Sequence, residues 1–457
     1  MPGLTRDFVE LLLAWPAEGE ALRERCRLLL IDGVAVAAAG ASEPGPTCMA
    51  DLARGDKGPS TVIGQQLAAA PAVAARINGM AMHVLDFEPM WNPPNHAISP
   101  LLPALLALAE EREARLGIAQ GAAVLRALAK GIEAQGRLRL SSRELEPAQL
   151  HMHPPGIVGP IAAALACADL IGLDATRATM AVGIAASRTG GLLANVGSHT
   201  KALHCGDAAA HGLESALLAE RGFTANDDAL GGPRGWGRAF FSDQFDESAL
   251  SAPIGEGRAL VPGPSWKLYP SQFATHFGIT AALDAHAQLG RFEASDIARV
   301  ELRTPSMPYI DRPAPGSGLE GKFSWQYTAT LALLDGKVEP ATFTNDRRFS
   351  PDVDLLLTKF ALVADLAIPG KFDEMHVVIT VHRKDATVVS ARCDSPLGSW
   401  HRPVGPEAIV AKAKGLLEVA LGPERTQAVL DAAEETPDRL SIRRLLEPLR
   451  QPGSAVI

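Results

Sequence analysis

The segment 197–212, GSHTKALHCGDAAAHG, brings several side chains that bind anions or move protons into one short stretch. It contains His199, Lys201, His204 and His211, and it separates two Ala-rich helical patterns. Lys201 lies at or near a predicted helix start, where the helix macrodipole disfavours a cation. A bound anion would remove that penalty. In the alternative interpretation the lysine extends into solvent and His211 forms a polar helix face.

A second candidate is the loop in INGMAMHVLDFEPMWNPPNHAISP, where a helical pattern ends and Pro89, Pro93 and Pro94 force irregular backbone. Asp86 and His96 flank this loop. A carboxylate that faces an imidazole orients the ring and raises its basicity, which suits proton transfer. The alternative is that Asp86 caps a helix end and His96 is an ordinary surface residue.

A third candidate is QLHMHPPGIVG, in which His151 and His153 precede a Pro-Pro-Gly turn and a helical pattern. The free N–H groups of a helix N-terminus favour anions, so an imidazole there can assist anion binding. A metal site would need a third ligand at matching spacing, and the sequence shows none beside the H-x-H pair. We therefore predict no metal.

Two further segments supply a lysine, an imidazole and a phenol. SWKLYPSQFATHFG carries Lys267 and His276 beside a predicted domain boundary, where side chains can close over a cleft. Tyr327, in KFSWQYTATLALLDG, is one of 3 tyrosines and begins an apolar helical pattern, so its hydroxyl either serves a site or satisfies a local carbonyl. The combined set, without a nucleotide loop or nucleophile elbow, suits proton transfer next to carboxylates.

The elements that position these residues fall into two classes. Ala- and Leu-rich stretches at helical spacing, such as ALRERCRLLLIDGVAVAAAG and PLLPALLALAEEREARLG, run from about residue 20 to 260. A Gly- and Pro-rich stretch, APIGEGRALVPGPSW, then leads to β-like runs, including a hairpin pattern in MHVVITVHRKDATVVSARC. We predict a mainly α protein: an all-helical domain from both chain ends, 1–262 and 404–457, and a smaller α+β lid domain, 263–403.

Composition limits the partners. The chain has 457 residues, 47% of them hydrophobic, and a net charge of −9, with no basic face for a nucleic acid. Its 5 cysteines form no C-x-x-C pair, which is typical of a reducing compartment. No stretch matches a signal peptide or a membrane-spanning helix. We expect a cytoplasmic protein with a small-molecule substrate, and no nucleic-acid or membrane partner.

At these segments the sequence resembles the MmgE/PrpD family, which includes 2-methylcitrate dehydratase, cis-aconitate decarboxylase and iminodisuccinate epimerase. The resemblance follows in order NGMAMHVLDFE, NHA, HMHPPGIVG, ASRTGGLLANVGSHTKALHCGDAAAHGLESALLAERGF, KLYPSQFATH, FSWQYTATLALLDG and SWHRPV. The T-K-x-L-H-x-G core of the fourth segment is the most specific of these motifs. The matches cover nearly the whole chain.

The resemblance implies a homodimer with a cofactor-free site in the cleft between the two domains. It implies catalytic roles for five residues: Asp86, His96, His153, Lys201 and Tyr327. It implies that the substrate is bound by Lys201 together with His204, Lys267, Gln272 and His276.

Several positions depart from the family pattern. The usual acidic pair after LDF is Glu88-Pro89 here, and the usual HPTGT is His153-Pro154-Pro155-Gly156-Ile157, so two hydroxyls are absent. Gln272 stands where relatives often carry Cys, His or Glu. A site that lacks hydroxyl donors recognises a polyoxygenated acid less well, so we predict a smaller or less polar acid as substrate.

We predict a cofactor-independent lyase, a dehydratase or decarboxylase, that acts on a small di- or tricarboxylic acid through a carbanion-like transition state. Lys201 and Lys267 would bind carboxylates, and His96 or His153 would move the proton. One alternative is an epimerase of an iminodisuccinate-like acid, since epimerisation needs the same α-proton abstraction. A second alternative is a non-catalytic dimer that binds an acid.

Overall fold

The computed structural model describes residues 3–450, and helices dominate the part before residue 260. A short antiparallel pair, β1 (Ser60–Thr61) and β2 (Ala68–Ala69), interrupts them. The Ala- and Leu-rich patterns correspond to helices, as predicted from their spacing. The helices are α1 (Leu4–Ala14), α2 (Glu20–Gly40), α3 (Pro44–Leu52), α4 (Pro71–Val84), α5 (Leu102–Leu116), α6 (Gly121–Ser141), α7 (Pro154–Leu170), α8 (Ala175–Ala186), α9 (His199–Glu220), α10 (Trp236–Phe241) and α11 (Ser248–Ser251).

The α+β part combines five helices with one four-stranded sheet. Its helices are α12 (Thr275–Leu289), α13 (Gly318–Gly321), α14 (Trp325–Asp335), α15 (Asn345–Arg348) and α16 (Pro351–Leu357). Its strands are β3 (Ile297–Thr304), β4 (Phe360–Ala364), β5 (Val377–Arg383) and β6 (Val388–Cys393).

The sheet has the order β4-β3-β5-β6, with β3 parallel to β4 and antiparallel to β5. The predicted hairpin is confirmed: β5 and β6 are antiparallel neighbours, with Val381 opposite Val389. The long helix α12 packs against β5 and β6. Because alternate residues of β5, including Val377, Ile379 and Val381, are buried, one face of the sheet is covered.

The chain returns to the helical part at its C-terminal end, through α17 (Pro406–Leu421), α18 (Pro423–Glu434) and α19 (Ile442–Leu446). Helix α17 packs along α2, and α19 contacts α5. The hydrophobic core of the helical part includes Leu417 and Leu445 from this end of the chain. The prediction that both chain ends form the helical domain is confirmed.

Helices α4 and α9 cross at very short range, and this crossing brings the candidate residues together. A Cβ at Gly206 would lie only 2.3 Å from the carbonyl oxygen of Arg76, so a glycine is required where the two backbones meet. The last turn of α4, with His83, therefore lies beside the first turn of α9, with Lys201.

The structure contains two main hydrophobic cores. One draws on residues 8–266 and 409–449, and the other on residues 273–393 together with Met90. This confirms the predicted class, mainly α with an α+β part. The exact domain limits, 1–262 with 404–457 and 263–403, stay a prediction. Within residues 3–450, no helix has the length and apolar character needed to cross a bilayer.

Candidate active site

A cavity is lined by residues from both parts of the chain. Much of its wall is apolar, and a few polar groups converge on it, which is the usual character of a small-molecule site. The apolar wall includes Met90, Phe273, Phe323 and Phe372, and Tyr309 adds a hydroxyl. Five sequence-predicted residues also line the cavity: Asp86, His96, His153, Lys201 and Gln272.

Asp86 lies directly after the last turn of α4 and has a left-handed backbone conformation, with φ of 50°. Aspartate adopts this conformation more readily than most non-glycine residues, and the contacts of the surrounding backbone hold it there. Here buried ammonium groups from three distant parts of the chain donate to three successive carbonyl oxygens. The pairs are Lys322 to Leu85 at 3.4 Å, Lys267 to Asp86 at 3.0 Å and Lys412 to Phe87 at 2.8 Å.

The carboxylate of Asp86 lies between two lysines. Nζ of Lys201 is 2.6 Å from Oδ2, and Nζ of Lys267 donates to Oδ1. Burial raises the pKa of Asp86, but the charges of Lys201 and Lys267 outweigh it and hold the pKa well below its ordinary value. Asp86 is therefore an anion that fixes both ammonium groups, and Lys201 is the one of the two on the cavity wall.

Glu88 is fully buried and lies between two imidazoles. Its Oε1 accepts a hydrogen bond from Nδ1 of His83 and is 3.2 Å from Nδ1 of His96. Nε2 of His96 is farther, 3.7 Å, from Oδ1 of Asp86. We expected Asp86 to orient His96, but the structure places Glu88 nearer to that ring. Burial raises the pKa of Glu88, and the two facing imidazoles lower it well below its ordinary value.

The position of Lys201 fixes the tautomer of His83. Nζ of Lys201 lies 2.8 Å from Nε2 of His83, and an ammonium group can only donate. Nε2 of His83 is therefore the acceptor, and its Nδ1 carries the hydrogen that goes to Glu88. Burial, against the attraction of Glu88, lowers the pKa of His83 to about 4, so the ring is neutral at pH 7. The hydrogen bonds therefore run without a break from Lys201 through His83 to Glu88.

His153 and His204 form an imidazole pair at the edge of this network. His153 precedes α7, and its Nδ1 lies 3.3 Å from Nδ1 of His204 in the second turn of α9. Burial, and then the charge of Lys201, lowers the pKa of His153 well below its ordinary value. Nε2 of His153 is buried without a hydrogen-bond partner among the described residues. His153 itself lines the cavity.

Two groups of side chains in the described part of the chain have ligand atoms close enough to hold a metal ion. They are His83 with Glu88 and His96, and His83 with His153 and Cys205. His83 belongs to both groups, and its two nitrogens already pair with Lys201 and Glu88. A metal in either group would have to displace these hydrogen bonds.

Comparison with known proteins identifies the family. The model of the MmgE/PrpD N-terminal domain matches residues 12–248, and that of the MmgE/PrpD C-terminal domain matches residues 269–436. The chain belongs to the MmgE/PrpD family. It is 32% identical to cis-aconitate decarboxylase of Mus musculus over 388 residues, covering 84% of this chain and 79% of the relative. The resemblance seen in the sequence is confirmed.

Two other relatives carry the same name. The cis-aconitate decarboxylase of Homo sapiens is 32% identical over 384 residues, covering 83% of this chain and 79% of the relative. That of Aspergillus terreus is 26% identical over 458 residues, covering 94% and 92%. Together with the family models, these matches confirm the prediction that the chain is a lyase of the MmgE/PrpD type.

Tyr327 does not reach the cavity of this MmgE/PrpD lyase, contrary to the role predicted for it. Ser324 caps α14 by accepting the backbone N–H of Tyr327, which fixes the start of the helix. The ring then packs near Phe343 in the core of the α+β part, and its hydroxyl donates to the carbonyl of Thr342 at 2.7 Å. Tyr309, in the irregular segment after β3, is the tyrosine on the cavity wall.

Three residues predicted to bind substrate are not among those that line the cavity: Lys267, His204 and His276. Lys267 is fully buried behind Asp86 and also donates to the carbonyl of Ser271 at 3.0 Å. His276 is fully buried, with Nε2 3.3 Å from that same carbonyl. Their predicted roles in substrate binding stay predictions.

Three residues of the site are not predicted by the sequence patterns. His83 lies three residues before Asp86 on the last turn of α4, a spacing that puts both near one helix end. Glu88 was noted only as a departure from the family pattern. Tyr309 follows a strand in MPYID, where no periodic pattern predicts which way a side chain points.

Proposed function

We propose that the chain is a cofactor-independent decarboxylase of a small unsaturated polycarboxylic acid of the cis-aconitate type. The observation that carries the proposal is the position of Lys201, an ammonium group on the cavity wall held between Asp86 and His83. The names of the relatives support the choice of decarboxylation.

The reaction needs stabilisation of negative charge and delivery of one proton. The bond between carbon and the leaving carboxylate breaks, CO2 departs, and the electron pair stays on the substrate, delocalised toward a second carboxylate. One proton then adds to carbon. Lys201 would stabilise the delocalised charge, because a fixed cation in a largely apolar cavity acts more strongly than one in water. Asp86 and Lys267 would keep Lys201 in place.

The proton would come from an imidazole that becomes charged when the substrate binds. Burial, partly opposed by Glu88, lowers the pKa of His96, and burial with Lys201 lowers that of His153. Both rings are therefore mainly neutral at pH 7 in the empty site. A substrate carboxylate bound nearby raises the pKa values of both rings, so binding of the acid favours uptake of a proton by one of the imidazoles. Nε2 of His153, which has no partner among the described residues, is the favoured donor.

A proton NMR time course in D2O tests the proposal with cis-aconitate and less polar unsaturated diacids. We expect loss of CO2, new alkene signals, and one deuterium per product molecule. Lys201→Ala should slow the reaction by roughly 100-fold or more. The matched control is Lys414→Ala, a half-exposed lysine on α17 whose ion-pair partner among the described residues is Glu418.

Two other results would overturn decarboxylation. Deuterium uptake into substrate without CO2 loss would identify an epimerase or isomerase. Thermal stabilisation by an acid without any turnover would identify a non-catalytic binding protein.

We also propose that the protein is a cytoplasmic homodimer. The family resemblance supports the dimer. The free thiols of the 5 cysteines, four of them buried, are typical of a reducing compartment. Light scattering after size-exclusion chromatography would give the mass: about twice 48.1 kDa is expected, and a single-chain mass would contradict the dimer.

A further inference from the structure

The amide group of Gln272 is held in one orientation by the backbone. The side-chain Oε1 accepts the backbone N–H of Ala274 at 2.7 Å, and the backbone N–H of Gln272 donates to the carbonyl of Lys322 at 2.9 Å, which fixes the main chain here. A backbone N–H cannot accept a hydrogen bond, so the amide oxygen must face Ala274. Nε2 of Gln272 therefore faces the opposite way, where it lies 2.8 Å from the hydroxyl oxygen of Tyr309.

This orientation determines how the Tyr309 hydroxyl is used. An amide NH2 only donates, so the oxygen of Tyr309 accepts and its own hydrogen stays available. Among the described residues, no protein acceptor takes that hydrogen, and both side chains line the cavity. Burial, and then the nearby carboxylate of Asp86, raises the pKa of Tyr309, so the phenol keeps its proton.

We propose that Gln272 is a positioning residue that holds Tyr309 as a hydrogen-bond donor toward a carboxylate of the bound acid. The proposal rests on the proposed function, because it assigns the donor to the substrate of that site. It gives Gln272 a different role from direct substrate binding. Gln272 acts on the acid through Tyr309.

The chemistry of residue 272 decides the direction of this hydrogen bond. A glutamate there would still accept the N–H of Ala274 with one oxygen, but the other oxygen would accept from Tyr309. The phenol hydrogen would then leave the cavity, and the phenol oxygen would face the anionic acid. A methionine would simply remove the amide and let the hydroxyl rotate.

A double-mutant cycle with Gln272→Glu and Tyr309→Phe tests the coupling. Each single variant should lower kcat/KM by roughly 10- to 100-fold, the effect of losing one hydrogen bond to a charged group. The double variant should be no slower than the slower single variant, because both remove the same donor. Gln272→Met, which adds no charge, should lower kcat/KM less than Gln272→Glu.

The cycle also separates orientation from simple charge repulsion. If the new carboxylate of Gln272→Glu merely repels the substrate, it should lower kcat/KM by the same factor in wild type and in Tyr309→Phe. If the effects of Gln272→Glu and Tyr309→Phe multiply in the double variant, the proposal is wrong.

A spectroscopic measurement covers the case in which the proposed function itself fails. With 13Cζ-labelled tyrosine the protein gives three signals, from Tyr269, Tyr309 and Tyr327. The signal lost in Tyr309→Phe should shift in Gln272→Glu, and the other two should stay in place and show that the fold is intact. An inert wild-type enzyme would refute decarboxylation only, whereas an unmoved Tyr309 signal would refute the role of Gln272.

Discussion

Oε1 of Glu88 lies 3.2 Å from Nδ1 of His96, whereas Oδ1 of Asp86 lies 3.7 Å from Nε2 of the same ring. The same oxygen accepts from Nδ1 of His83. Through that bond Glu88 fixes which nitrogen of His83 carries hydrogen, whereas Nδ1 of His96 lies near the carboxylate without a hydrogen-bond partner among the described residues. We therefore expect Glu88, the nearer of the two carboxylates, to orient His96.

Replacing Glu88 by glutamine tests this role. The amide keeps the shape of the side chain but accepts with only one oxygen and carries no charge, so the orientation of His96 is weakened. We expect kcat to fall by roughly 10- to 100-fold, the range that holds for carboxylates that orient metal-bound histidines, with KM changed much less. Steady-state kinetics with the acid that supports turnover measures both.

The control is Glu110→Gln. Glu110 is also buried, but it pairs with Thr61 and Arg450 far from the cavity. This variant should lose stability and retain kcat. Equal loss of kcat in the two variants would show that Glu88 acts through the fold alone.

Tyr327→Phe should retain catalysis, because its hydroxyl bonds the carbonyl of Thr342 and not a group on the cavity wall. We expect kcat/KM to stay within about twofold of wild type, while the free energy of unfolding falls by about 1 kcal/mol for the lost hydrogen bond. Urea unfolding and steady-state kinetics measure the two effects. Tyr309→Phe is the matched comparison. If Tyr327→Phe lowers kcat/KM more than Tyr309→Phe does, the catalytic role predicted for Tyr327 from the sequence is correct.

The fold was accessible from sequence because periodicity reports which face of an element is buried. The alternation in β5 and β6 gave the hairpin, and the Ala-rich spacing gave α5 to α7. Motif resemblance brought together Asp86, His96, His153 and Lys201, although they come from three distant segments.

What the sequence could not give was side-chain direction in irregular backbone. Tyr327 is the tyrosine that the sequence predicts for the site, because it begins an apolar helical pattern, yet its hydroxyl bonds the carbonyl of Thr342 in the core. Glu88 follows the left-handed Asp86, and only the folded turn shows that its carboxylate points back to His83. Such directions depend on contacts with Lys267 and Lys412, which are remote in the sequence.

Lys412 should be essential for stability, since it is the partner of a fully buried carboxylate. Its Nζ lies 2.9 Å from Oδ1 of Asp32 and also donates to the carbonyl of Phe87. Lys412→Met would leave Asp32 buried without a counter-charge, at a cost of about 3–5 kcal/mol in the free energy of unfolding. Denaturant titration measures this loss.

Two further variants give the controls for Lys412. Lys414→Met, on the exposed side of the same helix, should change stability by less than about 0.5 kcal/mol. Asp32→Leu combined with Lys412→Met removes both charges and should recover much of the loss. If the stability losses of Asp32→Leu and Lys412→Met simply add in the double variant, the two side chains do not act as a pair.

His276 should make the protein less stable as the pH falls. Burial, and then the charge of Lys267, lowers the pKa of His276 to about 3, below the ordinary value of 6.5 that applies in the unfolded chain. Between pH 6.5 and 3 the unfolded state therefore binds one more proton than the folded state, so this group's contribution is complete above pH 6.5 and is lost on acidification. The slope is at most about 1.4 kcal/mol per pH unit.

Urea unfolding between pH 7.5 and 5 measures this dependence. His276→Gln should reduce the slope of stability against pH by up to that amount, because glutamine does not titrate. The comparison variant is His401→Gln, whose side chain is exposed. The pKa of His276 is lowered by the surrounding protein, not by a bound substrate. The slope of wild-type stability against pH should therefore be the same without any acid bound. An unchanged slope in His276→Gln would mean that other groups carry the acid sensitivity.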